Sequence, residues 1–249
     1  IVSGSQAIDT NPAALTAVNL ARYFQSAGFK GTGGSAGAPI EFGNVTLFEI
    51  NGAGGQHYFK TGTTALLRVA GSAGGKVWFQ GGTFTTVVVF RGEVEFGGAC
   101  TVTKIINLGG KVILRQLTTG GASTTIISKG GETIIERSAG TLEIVRAAGK
   151  VTSLYAAAIT TKLRIFDGFY NHKSSGTIAY LEGAGGVFST QGAEKVFEIT
   201  NGELWEGFSI VDSNDLTYID WANDPVLYGY TGGGALRSEE RRVGKEWSE

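Results

Sequence analysis

Glycine pairs recur along this chain at nearly constant intervals, and that spacing limits the possible folds more than any other feature. Gly-Gly or Ala-Gly steps fall at Gly74-Gly75, Gly81-Gly82, Gly97-Gly98, Gly109-Gly110, Gly120-Gly121, Gly130-Gly131, Ala139-Gly140 and Ala148-Gly149. From Gly109 onward the intervals are 11, 10, 9 and 9 residues. Between them lie runs such as 111–117, 123–128, 132–137, 141–146 and 150–155, dense in Val, Ile, Leu and Thr and therefore strand-like. Antiparallel hairpins joining such short runs favour Asn-Gly or Asp-Gly turns, and neither dipeptide occurs between Gly74 and Tyr155. Small residues at regular corners suit a coil that turns in the same sense each time and stacks rung on rung.

The expected fold is all-β: a right-handed parallel β-helix (β-solenoid) with a short N-terminal α-helix. The hand comes from the general bias of parallel crossover connections. Two runs make a unit of about 20 residues, so six to eight rungs fit between about residues 60 and 205. Alternation within a run sets the inside: Leu142 and Ile144 oppose Glu143 and Val145. Gly98, Gly110, Gly121, Gly131, Gly140 and Gly149 are the expected structural corners.

The chain divides into four segments. Residues 1–39 read as a helical arm and Gly-rich linker. Asn11-Pro12 is a start signal, and Leu15, Val18, Ala21 and Phe24 recur at helical spacing, predicting a helix over 12–27. Residues 40–204 are the solenoid, whose first end is closed by Phe42, Phe48, Tyr58, Phe59, Trp78 and Phe79. Residues 205–236 are an aromatic-rich cap. Residues 237–249 carry eight charges in thirteen positions, and the run RSEERRVGKE (Arg237–Glu246) resembles the translation of a sequencing adapter, which implies an environmental fragment with a non-native tail.

Gly makes up 40 of 249 residues, but no Gly-X-Y period accompanies it and 42% of the chain is apolar, which excludes collagen and simple disorder. A net charge of −1, with no basic block outside the C-terminus, argues against nucleic acid as a partner. No run of 18 apolar residues suggests membrane insertion. The single cysteine, Cys100, excludes an intrachain disulfide framework and reads as a buried apolar side chain opening a strand.

The search for chemistry yields no catalytic residues, no cofactor and no metal site. Glu93 and Glu95 share one side of a strand, and Glu132, Glu136, Glu143, Arg137 and Arg146 lie in neighbouring runs. They read as outward solvating groups; a carbohydrate-active β-helix would require them to meet in a groove. Asp212, Asp215, Asp220 and Asp224 offer oxygen ligands, but their spacing fits no calcium loop and suits turns. His57 and His172 stand in polar contexts and read as surface residues. The one Gly-x-Ser-x-Gly match, at 33–37, falls in the Gly-rich linker and so does not read as a nucleophile elbow, and no GxxxxGK[ST] loop occurs. Trp205, Phe208, Tyr218 and Trp221 read as a cap or interface, with glycan contact as the alternative.

The β-branched runs punctuated by Gly-Gly, clearest from Gly74 to Tyr155, resemble two groups of proteins. One is the glycine-cornered repeats of tailed-phage capsid decoration or head-fibre proteins. The other is the passenger domains of autotransporter adhesins, from which the irregular intervals and Ala-Gly corners depart. The virion resemblance implies a non-enzymatic structural role, docking to a capsid or to sister subunits, and a homo-oligomer such as a trimer. The adhesin resemblance implies a bacterial surface location. A carbohydrate-active β-helix enzyme is the second alternative.

Overall fold

A computed structural model describes residues 2–3, 17–24, 35–51, 55–71, 75–116, 124–192, 196–211 and 219–231. They form a β-solenoid of about 9 turns in which every strand-to-strand pairing is parallel. Each turn contributes to two stacked ladders. The first runs through Asn44–Asn51, the later halves of Gly55–Ala70 and Gly75–Arg91, residues 101–107 and 125–128, Ala139–Ile144, Ile159–Ile165, Ile178–Gly183 and Phe197–Trp205. The second runs through Ile40–Phe42, the early halves of the same long strands, residues 93–96, 111–114 and 132–135, Gly149–Tyr155, Phe169–Ser174, Val187–Ser189 and Ser209–Val211. Adjacent rungs pair residues 19 apart at Val45 and Thr64, 21 apart at Lys104 and Thr125, and 16 apart at Thr125 and Thr141. Corners absorb that variation, so the register of the inward side chains is kept.

The predicted helix over 12–27 is corrected where the structure describes it. Ala17–Phe24 is a strand, paired parallel with Asn44–Asn51 from Ala17 opposite Asn44 to Phe24 opposite Asn51. The open edge of Asn44–Asn51 supplies a ladder of backbone partners, which outweighs a modest helical preference. The solenoid therefore begins well upstream of residue 60 and has more turns than the repeat spacing suggested.

Inward rows explain the cohesion. Phe48, Leu67, Val87, Ile105, Ile126, Leu142, Leu163 and Leu181 stack in register on eight successive rungs and are all fully buried. As expected, Leu142 and Ile144 face in, while Glu143 and Val145 are half-buried outside. At one end Phe42, Phe48, Phe59, Phe79, Phe84 and Phe96 form a chain of ring contacts with centroids 4.8 to 6.0 Å apart. Tyr58 and Trp78 instead pack on each other on the outer face, 4.8 Å apart. At the other end, glycine makes room for the seal. A Cβ at Gly183 would meet the Phe208 ring at 2.5 Å, and one at Gly202 would meet Trp221 at 2.6 Å.

Candidate functional site

Where the first ladder hands the chain to the second, the corner is built by glycine for two separate reasons. Gly92, Gly131, Gly168, Gly186 and Gly207 have φ between +69° and +90°, which L side chains rarely adopt. Gly110 and Gly149 lack positive φ but sit against the rung beneath, with the Gly92 oxygen 2.8 Å and the Ser128 hydroxyl 2.9 Å from where a Cβ would be. Gly140 pairs its N–H with the Thr124 carbonyl, Gly98 lies within Glu93–Leu114, and Gly121 falls outside the described residues.

Immediately after Gly75, Gly92, Gly110, Gly131 and Gly149 the side chain alternates in sign over five rungs: Lys76, Glu93, Lys111, Glu132, Lys150. Lys76 is in register with Glu93, and Glu132 with both Lys111 and Lys150. The Lys111 N–H donates to the Gly92 carbonyl at 2.8 Å, which seats Lys111 over Glu93. Rungs are about 4.8 Å apart, so the row is about 19 Å long. It borders an open groove of about 840 Å³ whose floor is the corner glycines and which Arg91 also lines. Four cations face two carboxylates there. Lys76 is held by Glu93 at 3.2 Å and Glu95 at 2.7 Å, and Lys111 is 3.8 Å from Glu132. Arg91 and Lys150 have no ion pair among the described residues. The sequence carried this signal in the residue after each of these five glycines, but repeat spacing draws attention to the glycines rather than to their successors.

Deeper on the same face, Arg115 bridges two rungs, with Nε 2.8 Å from Glu95 and Nη1 2.6 Å from Glu136. The two carboxylates are only 7% and 8% exposed, which corrects their reading as solvating groups. Burial works to raise the Glu95 pKa, but hydrogen bonds from Arg115 and Lys76 outweigh it and hold the carboxyl below its ordinary value. Glu143 belongs to a second cluster on the other ladder, with Arg164 between it and Glu182. Arg137, also expected outside, is 6% exposed and reaches back to donate to the Cys100 carbonyl at 2.6 Å. Burial lowers its pKa. Arg146 and Glu132 are exposed, as expected.

Both histidines are buried, not surface residues. His57 stands in register with the buried Val77, and His172 with the buried Ser153, so strand alternation turns both inward despite polar neighbours in sequence. His172 Nε2 lies 3.2 Å from the Gly176 carbonyl and so carries the proton. Its Nδ1 then accepts from the Ser153 hydroxyl at 3.0 Å or the Tyr170 hydroxyl at 3.1 Å. Desolvation lowers the His172 pKa to about 4. Serine, histidine and tyrosine are within hydrogen-bond reach, yet all three are fully buried, so no substrate reaches them and the cluster acts as a satisfied core network.

Among the aromatic candidates, Phe208 and Trp221 are buried in the seal, and Trp205 stacks on Tyr228 at 4.8 Å on the outside. Tyr218, Asp212 and Asp215 lie outside the described residues; Asp224 is exposed and Asp220 half-buried. Among the described residues no three His, Cys, Asp or Glu side chains are placed to hold a metal ion. The chain matches no family model, no curated protein and no solved structure.

Proposed function

We propose that the chain is a structural, non-enzymatic virion component, a phage capsid decoration or fibre protein that serves as a stiff rod and docks to a capsid or to sister subunits. The observation that carries this reading is the unbroken inward stack from Phe48 to Leu181, eight fully buried side chains in register. Each rung is held above and below by main-chain hydrogen bonds and apolar contact, so bending or twisting the rod breaks many contacts at once. The edge strand Val226–Tyr228 pairs only with Phe197–Trp205 among the described residues, and its three side chains are 47% to 50% exposed. Such an edge is suited to adding a strand from a sister subunit.

The test is to recover the source contig by long-read sequencing. Capsid, portal or tail genes beside this reading frame are the expected result. A signal peptide upstream with a membrane barrel or wall anchor downstream would overturn it in favour of a bacterial surface adhesin.

A carbohydrate-active enzyme is the second reading, because Glu93, Glu95, Glu136, Lys76 and Arg115 do meet on one face. Against it, Glu95 and Glu136 are buried in ion pairs, and a general acid or base must be able to exchange a proton with substrate. Release of reducing ends from acidic polysaccharides, lost in Glu95→Gln, would establish that activity.

A further inference from the structure

We infer that the corner groove beside Lys111 and Lys150 binds an extended acidic polysaccharide that carries one carboxylate on every second sugar. This goes beyond the rod reading and does not rest on it.

The groove has the dimensions of a ligand site, and its floor of corner glycines lets a chain approach the backbone closely. It runs along the solenoid axis, across five rungs, so its natural occupant is a linear polymer. Its walls carry an excess of positive charge, four cations to two carboxylates, which selects a polyanion. Arg91 and Lys150 have no ion-pair partner among the described residues, and Lys111 is held only at 3.8 Å, so these three can be recruited without breaking a tight ion pair. Lys76 cannot, since Glu93 and Glu95 already hold it.

Spacing then decides among polyanions. Lys111 and Lys150 both pair in register with Glu132, so they stand two rungs, about 10 Å, apart. Glu132 between them repels a negative charge at the intermediate position. A polymer with a charge at every unit, such as a polyuronate or a nucleic acid, meets that carboxylate, whereas one charged at every second unit places a neutral sugar there. Each sugar of an extended polysaccharide advances by close to one rung, and the hydroxyls of the neutral sugar can donate to Glu132.

The experiment uses the full chain in isothermal titration calorimetry with three oligosaccharide probes: hyaluronan, with one carboxylate per two sugars; oligogalacturonate, with one per sugar; and neutral cello-oligosaccharides. Hyaluronan is expected to bind most tightly, with affinity falling as salt rises. Lys111→Ala with Lys150→Ala is expected to weaken it about tenfold or more, as the loss of charged hydrogen bonds implies. Glu132→Gln is expected to raise oligogalacturonate affinity towards that of hyaluronan. Thermal unfolding of each variant separates loss of binding from loss of fold, and all three side chains are solvent-exposed or at the surface. No hyaluronan binding, equal wild-type binding of the two acidic probes, or an unchanged affinity in the double variant would overturn the inference.

Discussion

The carbonyl oxygen of Gly110 lies where a Cβ on Gly131 would stand, one rung above it. Gly131 also has φ of +69°, so a side chain there is strained by its own backbone as well as by the neighbouring rung. Gly131→Val is expected to destabilise the solenoid by at least about 1 to 3 kcal/mol. Thermal or urea unfolding measures it, with Gly37→Ala as the control, since a Cβ at Gly37 meets nothing within 4 Å. An unchanged midpoint for Gly131→Val would refute the corner's role.

The solenoid was legible in the sequence because its two causes are local: glycine at the corners and period-2 alternation between them. Leu142 and Ile144 could be placed inside from six residues alone. What was not legible depends on which rung lies next to which. His172 sits among Asn171, Lys173 and Ser174, and only the strand register reveals that it turns inward beside Ser153 and Tyr170. Glu95 and Glu136 are 41 positions apart, and nothing in either neighbourhood predicts that Arg115 joins them. The segment 17–24 has a helical apolar period, but the edge of Asn44–Asn51 recruits it as a strand.

Removing Arg115 leaves two buried carboxylates, Glu95 and Glu136, short of a partner. Arg115→Ala is expected to cost about 1 to 3 kcal/mol at neutral pH, the range for stranding a buried charged group that keeps some solvent contact. Lys60→Ala, which breaks the exposed pair with Glu41, is expected to cost about 0 to 1 kcal/mol. The acid behaviour also changes. In the wild type, the depressed Glu95 pKa contributes stability that is present above the ordinary carboxylate range and is lost as pH falls through the lowered value. Without Arg115, burial acts with less opposition and that loss moves to higher pH. Urea midpoints between pH 3 and pH 7 would show the shift; parallel profiles would rule out the bridge.

His172 sets a different pH window. Its folded pKa is lowered to about 4 by desolvation, while the unfolded imidazole titrates near 6.5. Between those values the unfolded state binds a proton that the folded state does not, so stability falls as pH drops from about 6.5 to about 4 and this contribution flattens below. The whole effect is about 3 kcal/mol. His172→Phe is expected to be less stable at pH 7.5, because the Gly176 carbonyl loses its donor, yet to have a shallower slope across that window. His57 remains in both proteins, so the difference in slope between the two belongs to His172. Equal slopes would mean that His172 titrates normally in the folded protein.

Cys100 reports on opening of the rod. Its thiol is fully buried, donates to the Phe79 carbonyl at 3.2 Å, and has its pKa pushed up to about 12 by burial, against a smaller opposing effect of the Arg137 charge. A disulfide reagent at neutral pH needs an exposed thiolate, so native protein is expected to react only through transient unfolding. Labelling should then be far slower than for the urea-unfolded chain. In Gly131→Val it should accelerate by the factor that corresponds to the measured stability loss, about tenfold for each 1.4 kcal/mol, when reclosing outpaces reaction. Labelling of the native wild type at the rate of the unfolded chain would show that the corner next to Cys100 is open, and would remove the closed, stacked rod from the account of this protein.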